Sequence, residues 1–348
     1  MKKSVFFVLV LLSNGYSFAC TTFLLNKNGQ LLFGRNYDWI TGAGIVNTNQ
    51  RGLFKTSAEE VQQKASWVSL YGSITFNQYG KEFPTGGMNE KGLVVELMWL
   101  DGTEYSTTDE RPAIGVLQWL QYQLDLHATV DEVIESDKKI RIDTRATPLH
   151  FLVADAKGNA ATIEFLNGKM VVHKGDDLPF PVLANETYNE SIKEADKFFK
   201  TEELPKGNSH ERFSKACSML KELQTLNTRE PLSDYAFTIL NNVSQGDYTK
   251  WSIVYDISNK KVLFKTHDFK TIKSFSFSAF DFACTTLPKM YDMNQPGEGD
   301  ISSNFILPDK KITTAAIHKA ASESKKYVAI SEAEKKLLLE YADSVKCQ

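Results

Sequence analysis

Cys20 is the residue around which chemistry could be organised, because the segment before it reads as a removable leader. Lys2 and Lys3 give a positive start, residues 5–12 form an unbroken apolar run, and Ser17-Phe18-Ala19 has the small-x-small pattern of a cleavage site. Cleavage between Ala19 and Cys20 would leave the cysteine with a free α-amine. Such an amine titrates near about 8 and a free thiol near about 8.5. A terminal cysteine therefore carries its own base within reach of its own nucleophile. The apolar run is shorter than the roughly 20 residues that span a bilayer. No membrane anchor is expected after processing, and the mature protein is expected in the periplasm or the medium. Two other readings of the same stretch are a lipidated cysteine and a cysteine terminal by coincidence. Against lipidation, Ser17 stands where a lipoprotein signal prefers an aliphatic residue.

The next residues bring charge to that position. Residues 21–25 and 31–33 are apolar, strand-like runs on either side of Lys27-Asn28-Gly29-Gln30, and Asn-Gly is a strong hairpin signal. A two-residue loop at Asn28-Gly29 pairs residues whose numbers sum to 57, which sets Cys20 opposite Tyr37, between Arg35 and Asp38. A guanidinium there would favour the thiolate, and a carboxylate would accept hydrogen bonds from the terminal ammonium or orient the amine. Away from such a cysteine, Arg35 and Asp38 would read as a surface ion pair.

Composition removes whole classes of function. The chain has 348 residues with 40 Lys and Arg against 43 Asp and Glu. Loss of the 19-residue leader takes two lysines with it and leaves 329 residues of net charge −5. That balance offers nothing to nucleic acid or to an anionic membrane surface. Cys20, Cys217, Cys284 and Cys347 are the only cysteines, so with Cys20 reserved at most one intramolecular disulfide can form. The six histidines are scattered without a His-x-x-x-His pair, and there is no Cys-x-x-Cys, which argues against a built metal site. Phosphate-loop, Gly-x-Gly-x-x-Gly and Gly-x-Ser-x-Gly patterns are absent as well.

The elements that must hold these residues follow from periodicity. Residues 66–76 read as one strand, and 86–93 as a glycine-rich turn leading into an apolar strand over 94–100. Helical spacing runs through 112–126 and 130–134. A meander follows over 149–155, 160–166 and 169–173, with turns at Lys157-Gly158-Asn159 and Asn167-Gly168. A short strand ends at Asn185. Helices are expected over 186–200, 209–226 and 232–243, then a hairpin over 250–256 and 260–265 and a strand over 272–282. The tail from Ser322 is charged and reads as helical. With strands early and late and helices between, the pattern predicts an α+β protein of stacked antiparallel sheets under helical layers, in one domain over 20–348.

At this point the motifs resemble a known family. Cys20-Thr21-Thr22, Gly34-Arg35-Asn36-x-Asp38, Gly87-Met88-Asn89-Glu90-Lys91-Gly92-Leu93, Asn185 and Glu211-Arg212-Phe213 stand in the order seen in choloylglycine hydrolases, the bile salt hydrolases and penicillin V acylases. The resemblance implies an N-terminal-nucleophile αββα sandwich that hydrolyses linear amides other than peptide bonds, without metal or organic cofactor. It implies that Cys20 attacks the amide carbonyl, that Asp38 and Arg35 hold amine and thiol, and that Asn185 donates to the oxyanion. Arg212 would sit behind the cysteine. Without that resemblance, Asn185 reads as a helix N-cap and Arg212 as an exposed helix charge. The resemblance further implies a homo-oligomer, a tetramer in the family.

One departure bears on substrate. The family position that carries Asn in bile salt hydrolases and Tyr in many penicillin V acylases falls on Trp99, and Trp39 directly follows Asp38. Either indole could be a plain core residue; together they could form a flat apolar clamp for an acyl group. This resembles the secreted Gram-negative branch of penicillin V acylases, whose members also accept N-acyl-homoserine lactones. The expected partner is thus a small N-acyl amide, with a conjugated bile salt as the alternative substrate. A secreted or lipid-anchored binding protein without turnover is the alternative of another class.

Overall fold

The computed structural model describes residues 20–58, 61, 63–107, 109–227 and 230–348. The leader over 1–19, with the N-terminal side of the Ala19–Cys20 junction, lies outside the described residues. The chain opens on β1 (Thr21–Lys27) and β2 (Gln30–Asp38), then β3 (Ile45–Asn49), β4 (Leu53–Thr56), β5 (Ser66–Val68), β6 (Ser73–Asn77), β7 (Pro84–Asn89) and β8 (Val94–Trp99). Next come β9 (Ala113–Ile114), α1 (Val116–Leu126), α2 (Val130–Glu135) and β10 (Arg141–Ile142). A meander of β11 (Leu149–Ala154), β12 (Ala160–Leu166) and β13 (Lys169–Lys174) leads to β14 (Val182–Leu183). Three helices follow, α3 (Tyr188–Thr201), α4 (Asn208–Thr225) and α5 (Leu232–Asn242). The rest of the chain carries β15 (Thr249–Asp256), β16 (Lys261–Thr266), β17 (Lys273–Ser276), β18 (Met290–Asp292), β19 (Gly299–Asp300), α6 (Lys310–Ser324), α7 (Glu332–Ser344) and β20 (Lys346–Cys347).

Asn28 and Gly29 both adopt positive φ, 53° and 81°, as a two-residue hairpin loop of matching twist requires. The register follows from that turn: Lys27 faces Gln30, Thr22 faces Arg35 and Thr21 faces Asn36, each pair summing to 57. The hairpin sits near the middle of a seven-stranded sheet ordered β14-β1-β2-β15-β16-β17-β19. An eight-stranded sheet ordered β13-β12-β11-β8-β7-β6-β3-β18 packs against it. Between the sheets Phe76 meets Tyr255 and Phe264 edge-on, with ring centroids 6.0 and 5.8 Å apart, a favoured aromatic geometry. Helix α4 covers β1 and α5 covers β2 and β15, while α1 covers β7 and β8 on the far face. The layers are therefore helix, sheet, sheet, helix, as the resemblance implies.

Several expected elements differ in extent. Residues 66–76 split into β5, in a small sheet ordered β20-β4-β5, and β6 in the large sheet. Between them the Leu70 and Tyr71 amides turn to the Asp125 carbonyl, which interrupts any single strand. Gly86 and Gly87 lie inside β7; the turn is confined to Glu90-Lys91-Gly92, where Gly92 takes φ 87°. Pro112 leads into β9, and the helix expected from 112 starts at Val116. The strand expected over 272–282 stops at Ser276, and Phe277–Ala279 forms a single 3₁₀ turn. The C-terminal helical region begins at Lys310, well before Ser322, behind an Asp309 N-cap that accepts from the Lys311 and Ile312 amides. Cys284 and Cys347 form a disulfide, and Cys217 is free and buried.

Candidate active site

Cys20 stands at the head of β1, buried, at one end of a cavity of about 670 Å³. Its thiol points to the Asp38 carbonyl at 3.8 Å. Burial pushes the thiol up, and the nearby Arg35 charge pulls it partly back.

Strand alternation divides the two charged residues of β2. Arg35 and Tyr37 face the second sheet, whereas Asn36 and Asp38 face the helical layer. Neither Arg35 nor Asp38 is on the surface, and the two do not bridge one another. The Arg35 guanidinium forms a fully buried ion pair with Glu96 and donates to the Thr85 carbonyl at 2.7 Å and the Leu97 carbonyl at 3.1 Å. It also lies over the Tyr37 ring, 4.6 Å from the centroid. Asp38 accepts from the Thr249 hydroxyl at 2.5 Å and from Gln245 Nε2 at 3.2 Å. Burial raises its carboxyl to about 6, opposed by the Arg212 charge and these two hydrogen bonds.

Arg212 is buried behind Cys20, as expected from the resemblance and contrary to the exposed-charge alternative. Its Nη1 donates to the Cys20 carbonyl at 2.6 Å and to the Thr21 hydroxyl; Nη2 donates to Asn185 Oδ1 at 3.2 Å, and Nε to Asn208 Oδ1 at 2.7 Å. Asn185 is not an N-cap: α3 starts three residues later, at Tyr188, and is capped by Thr187. Its amide donates to the Trp99 carbonyl at 2.8 Å, so Trp99 and Arg212 together fix its orientation. The Trp39 and Trp99 rings stack 6.1 Å apart at 26° and both line the cavity. Trp39 Nε1 donates to the Tyr79 hydroxyl at 3.1 Å.

All seven residues singled out from the sequence thus meet at one place. Glu96 was missed, although a lone acid in the apolar run Val94-Val95-Glu96-Leu97-Met98 is itself a signal, since a carboxylate is buried there only with partners. Tyr255 donates to its second oxygen. Burial raises Glu96 to about 7, against the pull of Arg35 and Tyr255. Gly86 is directly opposite Glu96 in the ladder, and a Cβ there would stand 2.0 Å from the carboxylate. The glycine in mid-strand is what makes room for the acid. Thr249 and Gln245, which hold Asp38, carried no sequence signal. Among the described residues no group of three or more His, Cys, Asp or Glu side chains is placed to hold a metal ion. Among the same residues, no helix is long and apolar enough to cross a membrane.

Residues 20–212 match the family of linear amide C–N hydrolases, choloylglycine hydrolase family. Over 189 residues the chain is 32% identical to a penicillin V acylase from Pectobacterium atrosepticum, a match covering 48% of this chain and 49% of that protein. The chain therefore spans about half the length of that curated relative. The structure of a penicillin V acylase from Agrobacterium tumefaciens superposes with a TM-score of 0.74 at 25% identity, covering 83% of this chain and 98% of the other. A mutant conjugated bile acid hydrolase from Clostridium perfringens superposes with a TM-score of 0.67 at 19% identity, covering 80% and 98%, a likeness of fold. Two facing sheets between helices, with the cysteine at the head of the first strand, define an N-terminal-nucleophile hydrolase fold. The chain belongs to the choloylglycine hydrolase family.

Proposed function

We propose that the protein, processed to begin at Cys20 and exported to the periplasm or the medium, hydrolyses the amide bond of small N-acyl compounds, with penicillin V or long-chain N-acyl-homoserine lactones favoured over conjugated bile salts. The observation that carries this reading is the cavity beside Cys20, walled by the stacked indoles of Trp39 and Trp99. Flat aromatic walls suit a phenoxyacetyl ring or a hydrocarbon chain. A sterol acyl group is bulkier and carries hydroxyls that indole faces do not match.

In this reading the thiol of Cys20 passes its proton to its own α-amine as sulfur attacks the amide carbon. A thiol held neutral by burial needs such a base at hand. The tetrahedral oxyanion accepts from Asn185, whose amide has two hydrogens and spends one on Trp99. Donors of this kind are worth about 3–4 kcal/mol elsewhere. Collapse breaks the carbon–nitrogen bond, and the departing amine takes the proton from the α-ammonium. Water then attacks the thioester with the α-amine as base, releasing the carboxylic acid and regenerating the thiol. Asp38 holds the amine, while Arg35 and Arg212 hold the charge around sulfur and main chain.

The test is amine release by protein beginning at Cys20 from penicillin V, glycine- and taurine-conjugated bile salts, and N-acyl-homoserine lactones. A higher kcat/KM for penicillin V or the lactones is expected; preferential bile salt cleavage would overturn the substrate assignment. Mass spectrometry of the mature N-terminus provides a second readout. A free Cys20 supports turnover, whereas a lipid-modified cysteine would favour a non-catalytic binding protein.

A further inference from the structure

The cavity that begins at Cys20 does not end within the family-matched residues 20–212. One wall of it comes from the C-terminal hairpin of α6 and α7, through Val328 and Ile330 of the connecting turn and Leu337 and Leu338 of α7. These four are apolar and only half-buried, because one side of each looks into the cavity.

The hairpin is fastened in place by three independent devices. The backbone of α7 lies against Gly80, where a Cβ would stand 2.6 Å from the Leu338 carbonyl. The Tyr341 hydroxyl bonds to the Thr56 main chain, and the Tyr341 ring meets Phe83 edge-on at 5.3 Å. Beyond the helix, β20 pairs with β4, and Cys347 is bonded to Cys284. The hairpin also reaches the indole pair: Ala320 of α6 packs in one cluster with Tyr79, which accepts from Trp39. The Tyr327 ring lies 6.2 Å from that of Trp39.

We infer that this hairpin gauges the acyl half of the substrate, with Leu337 and its apolar neighbours forming the end stop that decides which chain lengths fit between the indoles and α7. The inference rests on the N-acyl amide reading above. An apolar wall offers no hydrogen bond, so it discriminates by length and volume. A methylene more or less in such a pocket changes binding about tenfold or somewhat more. The contacts that fasten the hairpin fall on Gly80, Thr56, Phe83 and β4 and not on Arg35, Asp38, Asn185 or Arg212, so a change there is expected to alter what fits and leave the chemistry intact.

Two measurements on protein beginning at Cys20 separate this inference from the reading beneath it. The first is kcat/KM over N-acyl-homoserine lactones with acyl chains of increasing length, for wild type, Leu337→Trp and Leu337→Ala. Leu337→Trp is expected to lower the longest acyl at least tenfold, about 1.4 kcal/mol, while the shortest stays within twofold. Leu337→Ala is expected to shift the optimum to longer chains. The second needs no turnover: protection of Cys20 from iodoacetamide by free straight-chain carboxylic acids of the same lengths. Leu337→Trp should abolish protection by the long acids and spare that by the short ones. If length dependence is unchanged in both variants and in both measurements, the end stop is overturned, whatever the amidase assay shows. If protection shifts with length but no amide is cleaved, the end stop stands and the amidase reading falls.

Discussion

At the Cys20 end of the cavity, Arg35, Asp38 and Arg212 are 0, 1 and 4% exposed, and each is held by two or more polar partners. At the hairpin end Ile330, Leu337 and Leu338 are apolar and half-buried, and Ile330 and Leu338 pack against Ala43, Tyr79 and Ala320. The contrast is physical. Buried charges persist only where partners are fixed in distance and direction, so the first end is over-determined and suited to chemistry. Apolar contact is non-directional, so the second end can change shape without disturbing the first. Substitutions at the Cys20 end should act as switches, and those toward the far end as graded adjustments.

The largest effect is expected at the nucleophile. Cys20→Ser, correctly processed, should lose turnover entirely while keeping the wild-type circular dichroism and thermal midpoint, because a hydroxyl is far less acidic than the thiol for which the site is arranged. Retention of any residue before Cys20 should be equally damaging, since an acylated nitrogen is no longer a base. Amidase activity that survives either change would remove Cys20 from its role and erase the difference between the two ends.

Next in size is the ion pair beneath Arg35. Glu96→Gln puts an uncharged amide where Arg35 and Tyr255 both bond a carboxyl group, and a loss of stability is expected. The pH dependence has a definite sign. Glu96 is raised to about 7 in the folded protein, against about 4.3 for an ordinary glutamate. Between those values the folded state binds a proton that the unfolded chain has lost, so this group's contribution to stability is present at low pH and is lost as pH rises through 7. Urea unfolding at pH 5 and pH 7.5 should show a smaller decline for Glu96→Gln than for wild type. An identical decline would mean that Glu96 does not titrate in this window.

These outcomes also mark what could be read from the sequence. The Asn28-Gly29 turn fixes the hairpin register by local geometry, so the pairing of Thr21 with Asn36 and of Thr22 with Arg35, which leaves Cys20 beside the end of β2, followed from counting. The same counting, combined with strand alternation, separates Arg35 from Asp38 onto opposite faces, yet the partner each one finds comes from strands and loops far along the chain. Glu96 lies 61 residues from Arg35, and Thr249 lies 211 from Asp38. Nothing in the spacing of those residues announces the contact. The tail was legible as helix and illegible as a wall, because its apolar residues look into a cavity that exists only once Gly80, Thr56 and Cys284 have received it. Gly86 and Gly87 misled for a related reason: mid-strand glycines mimic a turn, and only the buried carboxylate explains the first of them.

The smallest predicted effect lies where the two ends meet, at Trp99. Its backbone carbonyl accepts from Asn185 and so belongs to the polar end, while its indole stacks on Trp39 and belongs to the apolar one. Trp99→Ala keeps the carbonyl and removes the ring. An aromatic pair contributes about 0.5–1.5 kcal/mol beyond area burial, so kcat/KM on the preferred substrate should fall roughly tenfold, the equivalent of about 1.4 kcal/mol. Trp99→Phe should recover most of that loss. The decisive comparison is between acyl groups. If the indole acts only as a wall, a small acyl that never reaches it should be cleaved as well by Trp99→Ala as by wild type. A uniform loss across all acyl groups would instead mean that the ring holds the strand end on which Asn185 depends, and the boundary between the directional and the non-directional end would then fall beyond Trp99, closer to α7.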